Sequence, residues 1–304
     1  MATKNSNLHT AKKQKNDEFY TQLTDIENEL KHYKEHFRNK VVYCNCDDPI
    51  ESNFFKYFSL NFEHLGLKKL ITTGYKENGK GVVYIYEGDK NGNRMPDLEE
   101  IEVKELQENG DFRSQECIEF LKESDIVVTN PPFSLFRDYV ATLVEYGKQF
   151  LIIGSQNAIT YKEIFPLIKE NKLWLGVNLV KEFIQPNGEI KKFGNICWFT
   201  NLVHKKRNYP LDLYMKYSNE YYPKYDNYDA IEVSKTCEIP MDYEGVMGVP
   251  ITFLDKYNPE QFEIVGWSRH NDMNMDGGYW LGGKNDATIN GKDVYRRILI
   301  RHKR

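Results

Sequence analysis

The tetrapeptide Asn130-Pro131-Pro132-Phe133 holds an unusual concentration of directed chemistry. Two consecutive prolines fix an extended backbone, remove two N–H donors and leave carbonyls that a continuing strand ladder does not consume. The Asn130 side-chain oxygen and the Pro131 carbonyl can together accept both hydrogens of one planar amino group, while the Phe133 ring offers a face for a heteroaromatic base. A second polar turn, Cys46-Asp47-Asp48-Pro49, presents two carboxylates. It suits a cationic or ammonium-bearing ligand and ribose hydroxyls, and it repels phosphates. The chain accordingly has neither G-x-G-x-x-G nor G-x-x-x-x-G-K-[ST], the usual diphosphate cradles. Asp111 beside Phe112 adds an acid that can accept from a purine amino group and a ring that can pack on the purine.

These turns need stiff elements behind them. Val41-Val42-Tyr43 predicts a short buried strand running into the acidic turn, and Ser52 predicts the cap of a helix that stops at Gly66. Thr24-x-x-Glu27 reads as a capping box, with Leu23, Ile26, Leu30, Tyr33 and Phe37 at helical spacing, so a helix is expected over about 24–38. Lys69–Thr73 predicts a second strand, followed by a hairpin through Gly81–Tyr86 and an amphipathic helix around Ser114–Glu123. The buried strand 125–128 enters Asn130 directly, and Ser134 predicts the cap of a helix closed near Gly147. Phe150–Ile153 repeats the strand pattern, a helix is expected from about 165, and Ile196–Asn201 reads as a late strand. Alternating strands and helices predict an α/β fold with a doubly wound, mostly parallel sheet whose ligands bind at the carboxyl ends of its strands. Beyond about residue 203 the pattern changes to Tyr-, Pro- and Asn-rich sequence, so two regions are expected, 1–203 and 204–304.

With 304 residues, 40% hydrophobic and 28% charged, the composition is that of a globular chain with a sizeable core. Its apolar runs fall far short of the roughly 20 residues that span a bilayer. Residues 1–15 have no apolar stretch of the kind a secretion signal needs, so a cytoplasmic place and no membrane partner are expected. Five cysteines form no disulfide framework, and Cys44-x-Cys46 lacks a second Cys/His pair at zinc spacing, so no metal is expected. The net charge of -4 hides a division: Asp97–Asp125 carries eleven Asp or Glu against three Lys or Arg, which leaves +4 on the rest. The last fourteen residues hold six Lys or Arg against Asp293 alone, so a polyanion could be gripped away from the acidic segment.

Four segments in this order, Asp17-Glu18-Phe19-Tyr20-Thr21, Cys46-Asp47-Asp48-Pro49, Gly110-Asp111-Phe112-Arg113 and Asn130-Pro131-Pro132-Phe133, resemble the S-adenosylmethionine-dependent adenine-N6 DNA methyltransferases, specifically the EcoRI-type modification methylases. The likeness extends through Tyr222–Tyr228 and Met247-Gly248-Val249-Pro250. It implies an S-adenosylmethionine-dependent methyltransferase fold with the cofactor motif ahead of the catalytic one, and a C-terminal target-recognition region. It also implies transfer of a methyl group to N6 of a flipped-out adenine in double-stranded DNA. By position, Phe19, Tyr20 and Thr21 would face the methionine end of the cofactor, Cys46, Asp47, Asp48 and Pro49 its central turn, and Asp111 with Phe112 its adenine. Asn130 to Phe133 would form the catalytic clamp, and Trp198, with Phe199 as its alternative, the aromatic on the far side of the target base. Two departures stand out. The first cofactor turn has no glycine, and no acid ends the second strand at Thr72-Thr73-Gly74, which leaves the ribose partner unassigned, with Glu77 only a guess. A cognate endonuclease acting without a stable complex is the partner such a methylase implies. The same clamp would fit an RNA base or a protein glutamine amide, and a non-catalytic DNA-binding module is the reading from outside the enzymes.

Overall fold

All four residues of Val41–Cys44 are buried, and a strand enclosed in this way needs paired neighbours on both edges. The computed structural model describes residues 20–46, 49, 52–93, 96–97, 99–184, 189–270 and 275–303; Phe19, Asp47 and Asp48 lie outside them. Its strands are β1 (Tyr20–Thr21), β2 (Val41–Cys44), β3 (Lys69–Gly74), β4 (Val82–Tyr86), β5 (Ile101–Glu105), β6 (Ile126–Thr129), β7 (Gln149–Ser155), β8 (Trp174–Ile184) and β9 (Ile190–Thr200). They form one nine-stranded sheet in the order β1-β8-β9-β7-β6-β2-β3-β4-β5.

The expectation of a mostly parallel sheet needs correcting: the sheet is mixed. Only the centre, β7-β6-β2-β3, is parallel. The flanks β3-β4-β5, β7-β9 and β1-β8 are antiparallel. The link 75–81 between β3 and β4 is too short for a crossover helix, so β4 can only return antiparallel.

The helices are α1 (Leu23–Leu30), α2 (Asn53–Leu60), α3 (Phe62–Leu65), α4 (Gln115–Glu123), α5 (Phe136–Glu145) and α6 (Phe165–Lys169). Ser52 caps α2, accepting from the Phe54 amide at 3.2 Å, and Gly66 ends α3 in the left-handed conformation at φ 62°. Ser114 caps α4 likewise. The helix expected over 24–38 is α1 plus a 3-10 turn at Lys34–His36, with Gln22 in the N-cap place and no side-chain cap. Helical spacing recorded the buried face correctly, since Ile26, Leu30, Tyr33 and Phe37 are all enclosed, but the regular hydrogen bonding stops sooner. Ser134 is not a cap either, because a 3-10 turn at Phe133–Leu135 intervenes and α5 starts from Leu135.

The chain divides into two compact units, one of residues up to Ile164 with Leu175–Val203, the other of Phe165–Trp174 with His204–Arg304. In the second unit Phe165 stacks on Trp267, ring centres 5.6 Å apart, which explains why the excursion 165–174 belongs there. Its strands β10 (Ile231–Glu232), β11 (Met247–Val249), β12 (Phe262–Trp267) and β15 (Ile298–His302) pair in the order β10-β11-β15-β12, and β13 (Thr288–Ile289) pairs with β14 (Lys292–Asp293). The basic C-terminal run is therefore an inner strand rather than a tail. Arg297 is spent on the buried Glu232 at 2.7 Å, Arg301 on Glu263 at 2.7 Å and Arg296 on Asp286 at 3.3 Å. Among the described residues no helix is long and apolar enough to cross a membrane.

Candidate active site

Strand β2 pairs in parallel with both β3 and β6. The chain thus builds outward from β2 to one side, then returns and builds to the other. The order reverses between β2 and β6, and in open α/β sheets ligands bind outside the carboxyl ends at such a reversal. The two polar turns leave those two strand ends: Asn45 to Pro49 follows β2, and Asn130 to Phe133 follows β6.

Asn45 fastens the turn after β2 to the last residue of β6 and to α5, and the sequence reading missed it. It is 4% exposed. Its carbonyl accepts from the hydroxyl of Thr129, the last residue of β6, and its side-chain oxygen accepts from the Tyr139 hydroxyl of α5. Burial pushes the Tyr139 phenol well above its ordinary value, so it stays a donor across the working pH range. Cys46 follows at φ 72°, the left-handed region that a glycine would occupy without strain. Its thiol also reaches the Asn45 side-chain oxygen, at 3.6 Å.

Asn130 and Pro131 are buried, Pro132 is half-buried, and Phe133 packs half-buried against the core. The Phe133 ring stands edge-on to Phe183 at 6.4 Å, and Phe183 edge-on to Phe193 at 5.5 Å. Thr21 pairs with Phe183 in the β1–β8 ladder, and the Asn53 amide at the start of α2 donates to the Thr21 carbonyl at 2.7 Å. The pair Tyr20–Thr21 is thereby held between the helix that follows the acidic turn and the strand that backs Phe133. The Thr21 and Thr72 hydroxyl oxygens are buried and make no hydrogen bond among the described residues.

On the other side, Phe112 is buried edge-on to Tyr139, ring centres 5.0 Å apart. The Asp111 carboxylate accepts from the Arg113 guanidinium at 2.9 and 2.7 Å, and these bonds hold its pKa below the usual carboxylate value. Gly74, ending β3, lies where two turns press in. A side chain there would meet the Pro49 ring at 2.6 Å, and one at Gly110, where φ is 81°, would meet the Gly74 carbonyl at 2.4 Å. Glu77 is exposed on the loop beyond β3.

Trp198 does not fit the role of a target-base stacker. It has 0% exposure, sits edge-on to Phe54 at 6.1 Å, and belongs to the main apolar core. Phe199, its alternative, is equally enclosed against Phe136 at 5.0 Å. The reason is position: this half of β9 is an inner strand paired with β7. Phe183 and Phe193 are the aromatics that continue from Phe133, and neither lies in a motif that would have revealed it.

The two polar turns thus leave neighbouring strand ends of a parallel α/β centre, at the reversal of its strand order. The family model described as "Adenine-specific methyltransferase EcoRI" matches residues 7–303, and the chain belongs to this family of adenine-specific DNA methyltransferases. It is 52% identical over 328 aligned residues, covering 99% of the chain and 97% of the relative, to the type II methyltransferase M.EcoRI of Escherichia coli. It is 40% identical over 324 residues, covering 97% and 98%, to the type II methyltransferase M.MpnI of Mycoplasma pneumoniae. No solved structure matches the chain.

Proposed function

We propose that the enzyme methylates the N6 amino group of an adenine extruded from double-stranded DNA, with S-adenosylmethionine as donor, as the modification arm of a restriction-modification system. The carrying observation is Asn45, whose two acceptor oxygens tie the turn after β2 to the end of β6 and to α5, the elements on either side of the Asn130 corner. A donor and an acceptor seated at these two turns would be neighbours.

The residues present suit the donor. Thr21 and Thr72 offer two buried hydroxyls with hydrogen-bonding capacity to spare, and the acidic turn favours positive charge and ribose over phosphate. Phe19, Tyr20 and Thr21 are assigned to its methionine end, Cys46, Asp47, Asp48 and Pro49 to its centre, and Asp111 and Phe112 to its adenine. When bound it would supply an electrophilic sulfonium methyl. Asp111 keeps unused lone pairs after its bonds to Arg113, so it can still accept from an amino group.

The amino nitrogen of adenine is a poor nucleophile because its lone pair is delocalised into the ring. Asn130 and Pro131 accept its two hydrogens and draw them toward a tetrahedral arrangement, which returns lone-pair density to the nitrogen. Acceptors that bind better as the nitrogen becomes positive lower the barrier rather than the ground state, and one such contact is worth roughly 10²–10³ in rate. Pro132 keeps the corner rigid, and Phe133, backed by Phe183, is the stacking floor. Extruding the base costs on the order of a few kcal/mol, offset by stacking and phosphate contacts. Residues 204–304 are assigned to target recognition, where Tyr209, Tyr214 and Tyr295 are exposed aromatic rings. The enzyme acts in the cytoplasm, and its cognate endonuclease acts separately.

Methyl-labelled S-adenosylmethionine offered with duplex DNA, RNA and bulk protein tests this reading. Label is expected on adenine N6 of duplex DNA; label confined to RNA or to protein glutamine contradicts it.

A further inference from the structure

Strand β7 ends beside the Asn130 corner and carries polar side chains on its rim. In the parallel β6–β7 ladder Thr129 pairs with Ile152, so Ile153, Gly154 and Ser155 continue past the last residue of β6 at the end where the corner stands. The approach is close: a side chain at Gly154 would collide with the ring of Phe136, which follows Phe133 by three residues. In the antiparallel β7–β9 ladder Ser155 pairs with Ile196, which brings Asn195 to the same rim. Asn195 Nδ2 donates to Ser155 Oγ at 3.2 Å, and the Asn157 amide donates to the same oxygen at 3.3 Å. All of these residues belong to the first unit.

Exposure alternates along the first part of β9. Ile190, Lys192 and Gly194 are open, whereas Lys191, Phe193 and Asn195 are half-buried and share one face. Phe193 meets Phe183 edge-on, and Phe183 in turn meets Phe133. Lys191 Nζ stands 5.4 Å over the Phe193 ring. Asn195 is therefore bracketed: its neighbour on this face leads through Phe183 to the stacking floor, and its own amide is tied to the rim of β7.

A carboxamide has two N–H donors and one acceptor oxygen. Ser155 takes one N–H, and among the described residues the rest of the Asn195 side chain makes no hydrogen bond. Turning the amide over would offer Ser155 the oxygen instead, so either orientation leaves at least one N–H to give. Ser155 is 7% exposed and sits at the end of an inner strand, so the amide is held from a rigid base. An adenine whose amino group lies on the Asn130 and Pro131 oxygens still presents N1 and N7, the acceptor nitrogens on either side of that group. The two clamp oxygens cannot serve them, and a buried acceptor without a donor is costly.

Building on the adenine-N6 reading, we propose that Asn195, oriented by Ser155, donates its remaining N–H to a ring nitrogen of the extruded adenine beside N6. A donor at that nitrogen favours the delocalised form of the amino group, in which electron density lies on the ring. The contact therefore serves recognition of the base and not attack by N6, and its loss belongs in KM rather than in kcat.

The test is steady-state methyl transfer by the full chain to duplex oligonucleotides of one methylated sequence, with adenine, 1-deazaadenine or 7-deazaadenine at the target position. Asn195→Ala is expected to raise KM for the adenine duplex about three- to tenfold, with kcat within about twofold of wild type. One of the two analogues should raise the wild-type KM by a similar factor and add nothing further in Asn195→Ala, which identifies the contacted nitrogen as N1 or N7. A wild-type KM in Asn195→Ala overturns the proposal, as does a variant that stays as sensitive to both analogues as the wild type. Either result leaves wild-type transfer to adenine, and with it the underlying reading, intact. If the variant fails to fold, the wild-type series still decides, because an unchanged KM with both analogues overturns the contact.

Discussion

Tyr139 donates its hydroxyl to the side-chain oxygen of Asn45, joining the helix behind the Asn130 corner to the turn that follows β2. Tyr139→Phe removes the donor, keeps the ring against Phe112 and leaves a buried acceptor with only the weak Cys46 thiol. A stability loss of about 1–3 kcal/mol is expected. Calorimetric affinity for S-adenosylmethionine should weaken with it, because the turn loses its anchor. Unaltered Tm and affinity would mean that the hydroxyl holds nothing in place.

Trp198 and Phe133 should separate cleanly. Trp198 is core, so Trp198→Ala is expected to cost about 3–5 kcal/mol in unfolding. Trp198→Phe should melt lower yet leave the fluorescence rise of 2-aminopurine at the target position intact. Phe133→Ala should suppress that rise at a smaller cost in stability. The reverse pattern would restore Trp198 as the ring that meets the base.

Asp111 supplies a pH dependence with a definite sign. Its folded pKa is depressed, chiefly by the hydrogen bonds from Arg113. Its contribution is therefore fully present above the unfolded value of about 3.9 and is lost as pH falls through the lower folded value. Thermal melts of wild type and Asp111→Asn should run parallel from about pH 5 to 8 and converge below about pH 4. A difference that grows between pH 5 and 8 would assign the effect to another group.

The local structure around the candidate site was readable in the sequence. Asn130-Pro131-Pro132-Phe133 after an apolar strand identified its own corner, and Ser52 and Ser114 identified their own helix starts. What was not readable depends on pairing across the sheet. No local signal shows that β4 and β9 run antiparallel, or that Trp198 on an inner strand would be sealed in. Asn45 looked like a turn residue, and its role appears only once Thr129 and Tyr139, more than eighty positions away in the chain, arrive beside it. The basic run at the C-terminus looked available to a polyanion for the same reason: charge is visible in sequence, but the partners Glu232 and Glu263 are supplied by other strands.

The most direct measurement is single-turnover methyl transfer by Asn130→Ala on duplex DNA, with donor affinity measured in parallel by calorimetry. Loss of one amino-group acceptor from a rigid corner predicts a rate lower by roughly 10²–10³ with donor affinity within about twofold of wild type. Transfer at the wild-type rate would contradict the account, because the amino hydrogens would then not need the Asn130 oxygen.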